Sequence, residues 1–384
     1  MKTDSIRVAD PGTFVLKKVL REDGGGLLSG RRGPLPARGD LVPLYRAMLM
    51  TRMLDDRMLK LQRQGRVAFV GTSLGLEAAI HGTTAAFQEA DWVFSALREG
   101  GAALQRGMPV QEYADQMFGN RRSNDKGRQM TNHFQSRKTN FPSWSSVIGT
   151  QLPHAVGCAL AMKKRGEKSV VCAFSGDGAT SSNGFHSAMN FAGVFKAPVV
   201  FVVIDNGWAI SVPSKNQTAA RSFAAKAAAY GMPGSDVDGN DVLACYQEAK
   251  KAADRARRGR GPSLVCLRSY RMGGHSSSDD PTRYRSAEEF EYWSRRDPIL
   301  RFEKYLEQEG LLDEALRETM VSEISDLIAG AVSSAESAEA PGLESLVEDT
   351  YATPPSALRR QVVQALRIQA EKGAADEVAG RFPL

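Results

Sequence analysis

The chain has 384 residues, of which 42% are apolar and 24% charged, and its net charge of +6 comes from basic residues scattered among acids. This describes a soluble globular protein with one large α/β domain and appendages, or with two domains, and it leaves no basic patch for nucleic acid. No stretch approaches the roughly 18 apolar residues of a membrane span. Cys158, Cys172, Cys245 and Cys266 have no metal-binding spacing, and together with an N-terminus unlike a signal or transit peptide they fit a reducing, cytoplasmic setting.

Residues 1–36, rich in Gly, Arg and Pro, read as a flexible arm. Over residues 41–64 apolar side chains recur at helical spacing (Leu44, Met48, Met53, Leu54, Met58, Leu61), which predicts a long amphipathic helix. Short helices and loops continue to about Gly119. Residues 120–145 are polar and aperiodic, and a loop that long inside a domain is more often functional than idle. An alternation follows: helix 150–163, strand 168–174, helix 183–195, strand 198–204, an Ala-rich helix 218–230, a short strand 234–237, helix 241–257 and strand 263–268. Strand and helix taking turns predict βαβ units and a mostly parallel sheet, so the fold class is α/β. After Arg271 comes a polar loop and then helices; Ser286 with Glu289 forms a capping box, and Asp297-Pro298 opens the next helix. Residues 332–345 read as a linker before a final helix. The expected domains are an arm at 1–36, an α/β domain with flanking helices at 37–330, and a linker with a helical extension at 331–384.

Two fragments carry chemistry. "FSGDGATSSNG" ends one predicted strand and "NGWAIS" ends the next. A right-handed crossover brings both strands to one sheet edge, where open α/β sheets bind ligands. Gly176 and Gly178 let backbone approach a phosphate, Asp177 offers a carboxylate, Asn206 an amide oxygen, and the turn can present the Trp208 carbonyl. Magnesium takes about six oxygens, commonly one or two carboxylates with phosphate oxygens, and a helix starting near Asn183 adds a positive N-terminus. Neither fragment is a P-loop, and Ser181 stands where a dinucleotide motif needs its third glycine. Taken singly, each fragment also reads as an ordinary tight turn.

The combination resembles the thiamine diphosphate motif. "GDGATSSNGFHSAMNFAGVFKAPVVFVVIDNGWAIS", with "ALREGG", "FGNRRSNDKGRQM", "GTQLPHAVG" and "GGHSSSDDPTRYR" in order, resembles the alpha subunit of the thiamine-dependent 2-oxo acid dehydrogenases over about residues 41–361. The resemblance implies that Asp177, Asn206 and the Trp208 carbonyl bind magnesium and that Gly176, Gly178 and Ala179 line the diphosphate. It implies that Arg98 grips a terminal phosphate, with Arg271 in a similar phosphate-facing loop, and that Ser146 and Ile148 lie under the bent cofactor. It matches Ser145, Val147, Thr150 and Gln151 to a potassium-binding turn, and His275 to the active-site histidine, which also stabilises the cofactor-bound intermediate. His133 is a substrate-side candidate. His81, His154 and His186 read as structural. Ser276 matches a phosphorylation site of mitochondrial members.

Three positions depart from the family. Leu97 stands where Tyr precedes the phosphate arginine, Ile204 where branched-chain members often carry Arg, and Trp208 replaces Tyr. The glutamate that activates the cofactor comes, in this family, from a separate beta subunit. The implied assembly is therefore an α2β2 heterotetramer that passes its acyl group to the lipoyl domain of an acyltransferase. The expected reaction is oxidative decarboxylation of a branched-chain 2-oxo acid of the 3-methyl-2-oxobutanoate type. Pyruvate and acetoin enzymes are the alternatives, and a non-catalytic thiamine-fold subunit is the reading from a different class.

Overall fold

The computed structural model describes residues 15–30, 33–347 and 350–372. Its elements, in order, are α1 (Leu41–Arg63), α2 (Glu77–Ala85), β1 (Trp92–Phe94), α3 (Gly100–Gln105), α4 (Val110–Phe118), α5 (Gln151–Lys164), β2 (Val171–Gly176), α6 (Asn183–Phe195) and β3 (Val199–Asp205). The two-residue strands β4 (Trp208–Ala209) and β5 (Val212–Pro213) follow, then β6 (Gly234–Asp238), α7 (Val242–Arg257), β7 (Ser263–Arg268), α8 (Ala287–Ser294), α9 (Pro298–Gln308), α10 (Glu314–Glu336) and α11 (Ser356–Lys372).

Five strands form one sheet in the order β1-β2-β3-β7-β6, with every pair parallel. Strands buried on both faces need apolar residues at every position, and "VCAF" and "VVFVVI" supply them. Cys172, Phe174, Val200 and Val202 face a core shared with α1, α2 and α7. Val171, Ala173, Val199 and Phe201 face a second core shared with α5 and α6. The α/β expectation therefore holds. No helix among the described residues is long and apolar enough to cross a membrane.

Three expectations differ from the structure. The described part of the arm is tied down: Lys17 pairs in parallel with Val237 at the edge of β6, and Val19 and Leu20 are buried. The Asp241 carboxylate accepts both their N–H groups, at 2.6 and 2.7 Å. An open sheet edge and a buried carboxylate recruit this backbone in a way that composition does not reveal; residues 1–14 lie outside the described residues. The Ala-rich helix is confined to a 3-10 stretch, Ala224–Tyr230, because the chain passes close under β6: a Cβ on Gly234 would meet the Ala224 carbonyl at 2.3 Å. Finally, α10 runs through the expected boundary at 330 and the expected linker start at 332, since Ile328, Ala331, Val332 and Ala335 remain in the core.

Candidate active site

Three strand ends build the site. β2 gives way to the 3-10 turn Asp177–Ser181, and Ser182 then caps α6 by accepting the Phe185 N–H at 3.2 Å. β3 ends in Asn206 and the small hairpin of β4 and β5, and Arg271 lies just beyond β7. A cavity of about 520 Å³ opens among them, with Arg98, Asp177, Asn206, Trp208, Arg271 and His275 on its walls. Gly176, Gly178, Ala179 and Ile148 line it as well. Gly178 has to be bare, because a Cβ there would lie 2.8 Å from that of Ala209.

The acidic side is strained by charge. Asp177 is buried, and the Ser214 hydroxyl lies 3.3 Å from its Oδ2 and 2.6 Å from Asp205 Oδ1. Burial, and then the neighbouring Asp205 carboxylate, push Asp177 up to about 7; burial raises Asp205 too. Two carboxylates that share one hydroxyl in a buried corner call for a cation. Asn206 Oδ1 accepts the Trp208 N–H at 3.2 Å, and the Trp208 carbonyl accepts Arg271 Nη1 at 3.0 Å, so each oxygen keeps a lone pair. Among the described residues no group of three His, Cys, Asp or Glu could hold an ion. A hard cation here would depend on amide, carbonyl and ligand oxygens beside one carboxylate, a donor set that suits magnesium.

The basic side is built from two buried arginines. Arg98 is buried, donates through Nη1 to the Thr72 carbonyl and through Nη2 to the His275 carbonyl at 2.6 Å. Burial and then Arg271 draw it down to about 10. Arg271 is buried as well; besides Trp208 it donates to the Ile210 carbonyl at 2.7 Å and to the Tyr284 hydroxyl at 2.9 Å, and its Nε has no partner among the described residues. Neither guanidinium bonds a carboxylate among the described residues. Buried cations held only by neutral oxygens fit an anion such as a diphosphate, with the α6 N-terminus beside them.

His275 stands at their junction. Arg98 Nη2 lies 3.3 Å from its Nδ1, and a guanidinium can only donate, so Nδ1 accepts and the ring proton is on Nε2. Burial, then Arg98 and Arg271, hold His275 down at about 4, which leaves it neutral at pH 7. Its backbone N–H donates to Asp279 Oδ2 at 2.6 Å, and the Tyr284 hydroxyl donates to the same oxygen, so the His275 loop and Arg271 share one bonded chain.

Other expected residues fall elsewhere. His133 and Ser146 do not line the cavity. His133 Nδ1 donates to the Thr131 carbonyl at 3.0 Å, Nε2 accepts from Ser146 Oγ at 2.6 Å, and Trp144 stands against the ring and lines the cavity instead. In the 145–151 turn, Ser145 Oγ accepts the Val147 N–H, the Val147 carbonyl accepts the Thr150 N–H, and the buried Gln151 Oε1 has no partner among the described residues. Ser276 faces away, into a second cavity of about 570 Å³. Leu97 and Ile204 both line the first cavity with apolar surface. Sequence reasoning missed Asp205, Ser214, Trp144 and Tyr284. Asp205 and Tyr284 sat inside quoted motifs, and nothing short of the fold pairs Ser214 with both acids.

The sequence model of the family described as dehydrogenase E1 component matches residues 45–344. The chain is 47% identical over 279 residues to the 3-methyl-2-oxobutanoate dehydrogenase subunit alpha of Mycobacterium tuberculosis, covering 73% of this chain and 74% of that one. It is 41% identical over 317 residues to the 2-oxoisovalerate dehydrogenase subunit alpha of Bacillus subtilis, covering 82% and 96%. It is 39% identical over 341 residues to the mitochondrial 2-oxoisovalerate dehydrogenase subunit alpha 2 of Arabidopsis thaliana, covering 88% and 72%.

Proposed function

This chain belongs to the dehydrogenase E1 component family, and on that premise we propose that it is the alpha subunit of a thiamine diphosphate-dependent dehydrogenase. Its substrate is a branched-chain 2-oxo acid of the 3-methyl-2-oxobutanoate type, and its acyl product passes to lipoamide. The observation that carries the proposal is that two buried guanidiniums, neither bonded to a carboxylate among the described residues, share one cavity with the buried Asp177 carboxyl.

In this reading Asp177, Asn206 and the Trp208 carbonyl hold magnesium, and Gly176, Gly178 and Ala179 receive the diphosphate with Arg98 and Arg271. Thiamine diphosphate, when bound, supplies the electron sink that lets a 2-oxo acid lose carbon dioxide. His275 keeps its proton on Nε2, free to hydrogen-bond a developing oxyanion or to give that proton up. Ile148 supports the cofactor from below, and Ser146 and His133 brace that turn from behind Trp144. Gln151 Oε1, without a partner among the described residues, supports a potassium site with Ser145, Val147 and Thr150.

A beta subunit completes the site. The one glutamate among the described residues of the cavity wall is Glu99, and its carboxylate is bonded to the Ala96 N–H at 2.7 Å at the start of α3. Ile148, Ile210 and Val212 line the cavity and are exposed, and Val147 next to Ile148 is exposed as well. Both features support a partner chain that brings a glutamate and covers these side chains, in an α2β2 assembly served by a lipoyl domain. The four free thiols support a reducing, cytoplasmic setting.

The test is turnover of the chain co-expressed with its beta subunit, with thiamine diphosphate, magnesium and an artificial electron acceptor. Faster turnover of 3-methyl-2-oxobutanoate than of pyruvate, lost in Asp177→Ala, is expected. Preference for pyruvate would move the substrate, and absent turnover with absent cofactor binding would leave a non-catalytic subunit.

A further inference from the structure

The hairpin that follows Asn206 is held in a costly shape. Ile210 is β-branched yet adopts φ +56°, and Gly207 adopts +86°; a β-branched residue in that region persists when its surroundings impose it. Arg271 supplies one restraint through the Trp208 and Ile210 carbonyls. A second comes from outside the cavity: the Trp208 indole Nε1 donates to Glu289 Oε1 at 3.0 Å, with the indole 5.2 Å from the Tyr284 ring.

Glu289 lies in the first turn of α8. In a capping box its carboxylate would turn back to the Ser286 N–H. Ser286 keeps its half of the box, accepting the Glu289 N–H at 3.1 Å, while the carboxylate reaches to Trp208. α8 itself buries no residue. Its other aromatic tie to the body is Trp293, stacked on Tyr270 at 5.4 Å. The helix is therefore a surface element fastened at the back of the hairpin whose front carbonyl faces the cavity.

We infer that Glu289, through the Trp208 indole, is a positioning residue for the Asn206–Trp208 turn, so that seating of a magnesium-bound diphosphate and ordering of α8 are coupled. The inference rests on the reading of the cavity given above. It assigns a role to the tryptophan side chain at a position where that reading uses only the backbone carbonyl. A neutral indole N–H bonded to a carboxylate is a charge-assisted bond, stronger and more directional than a neutral pair.

The experiment uses the chain assembled with its beta subunit. Thiamine diphosphate is titrated at fixed magnesium into wild type, Glu289→Leu, Glu289→Gln and Trp208→Phe, and amide exchange of residues 287–294 is followed with and without cofactor. Trp208→Phe keeps the carbonyl and a ring and loses the donor. Both Glu289→Leu and Trp208→Phe should raise the cofactor Kd by about tenfold, the loss expected for one hydrogen bond to a charged acceptor. Glu289→Gln, whose amide oxygen still accepts, should stay near wild type. Cofactor should slow exchange in α8 of wild type, which the cavity does not touch, and leave α8 unprotected in the two broken variants. Wild-type binding with unchanged Kd and protection in both variants overturns the inference alone. A wild type that binds no cofactor overturns the reading of the cavity and the inference with it.

Discussion

Arg98 and His275 are joined twice: the guanidinium Nη2 donates to the His275 carbonyl at 2.6 Å and stands 3.3 Å from the ring Nδ1. The arginine therefore fixes both the backbone and the tautomer of the histidine, and burial, joined by the charges of Arg98 and Arg271, keeps the ring neutral down to about pH 4.

This neutrality has a pH signature. An unfolded histidine takes its proton near pH 6.5 and the folded one near 4, so between these values the unfolded chain binds more protons and stability falls as pH falls. His275→Asn should remove this contribution and flatten denaturant-measured stability over pH 4–6.5 by about 1 kcal/mol, once solvent screening at this half-buried ring is allowed for. Ring-nitrogen NMR of the wild type should show the Nε2–H tautomer at pH 6. An imidazolium signal there would contradict it.

Asp177 titrates in the opposite sense. Its folded carboxyl is raised to about 7 against an ordinary 3.8, so the folded chain binds more protons in between and loses stability as pH rises through that window. Without magnesium, Asp177→Asn should therefore stabilise the chain at pH 8, by roughly 1–3 kcal/mol. Magnesium with thiamine diphosphate should raise the wild-type Tm and leave that of the variant unchanged. A destabilised variant in metal-free buffer would show that the Ser214 hydroxyl needs the Asp177 carboxylate as an acceptor.

Arg98→Gln removes a buried cation with no carboxylate partner among the described residues. Its expected effect is asymmetric. The cofactor-free fold should lose little, whereas thiamine diphosphate affinity should fall about a hundredfold, as when a charged hydrogen-bonded partner of a phosphate is lost. Calorimetric titration of the assembled enzyme, beside urea unfolding, separates the two. Equal losses in both would make Arg98 a structural residue.

The parallel sheet was legible because strands covered on both faces must be apolar throughout, and the helices between them carry their own periodicity. Asp177 and Asn206 were legible because consecutive parallel strands end on one edge. β1 was missed because three residues are too few for a pattern. Ser214 was missed because it reaches Asp177 through a hairpin with no sequence signature, and the Asp241 clamp because its backbone partners lie more than 200 positions away. His133 carried a motif but no direction, and only the packing of Trp144 shows that its ring stands behind the wall.

Leu97 and Ile204 give the cavity apolar surface where the resemblance leads one to expect a tyrosine and an arginine. Leu97 is half-buried and lines the cavity, so a tyrosine hydroxyl at 97 is within reach of the diphosphate site. Leu97→Tyr should then tighten thiamine diphosphate binding about three- to tenfold, the worth of one added hydrogen bond to a phosphate. An unchanged Kd in calorimetry would mean that Arg98 and Arg271 already satisfy the diphosphate.

Residues 15–30, which composition alone assigns to a free arm, are clamped onto the fold. The buried Asp241 carboxylate accepts four backbone N–H groups, from Val19 and Leu20 on one side and from Leu243 and Ala244 at the start of α7 on the other, and Arg301 stands 3.6 Å away. Arg301 also donates to the Leu20 and Arg21 carbonyls, so acid and base bind one stretch of backbone from both edges. Asp241→Ala would strand buried donors on two elements and leave Arg301 with Asp238 as its remaining carboxylate, 2.9 Å away. The expected loss is about 3–5 kcal/mol, the cost of breaking a buried pair by removing one partner. Asp241→Asn should lose less, because an amide oxygen still accepts. Both are read from urea midpoints, with proteolysis near Lys17 and Lys18 reporting release of the segment. Release without loss of global stability would make residues 15–30 a detachable cover on the edge of β6 instead of part of its core.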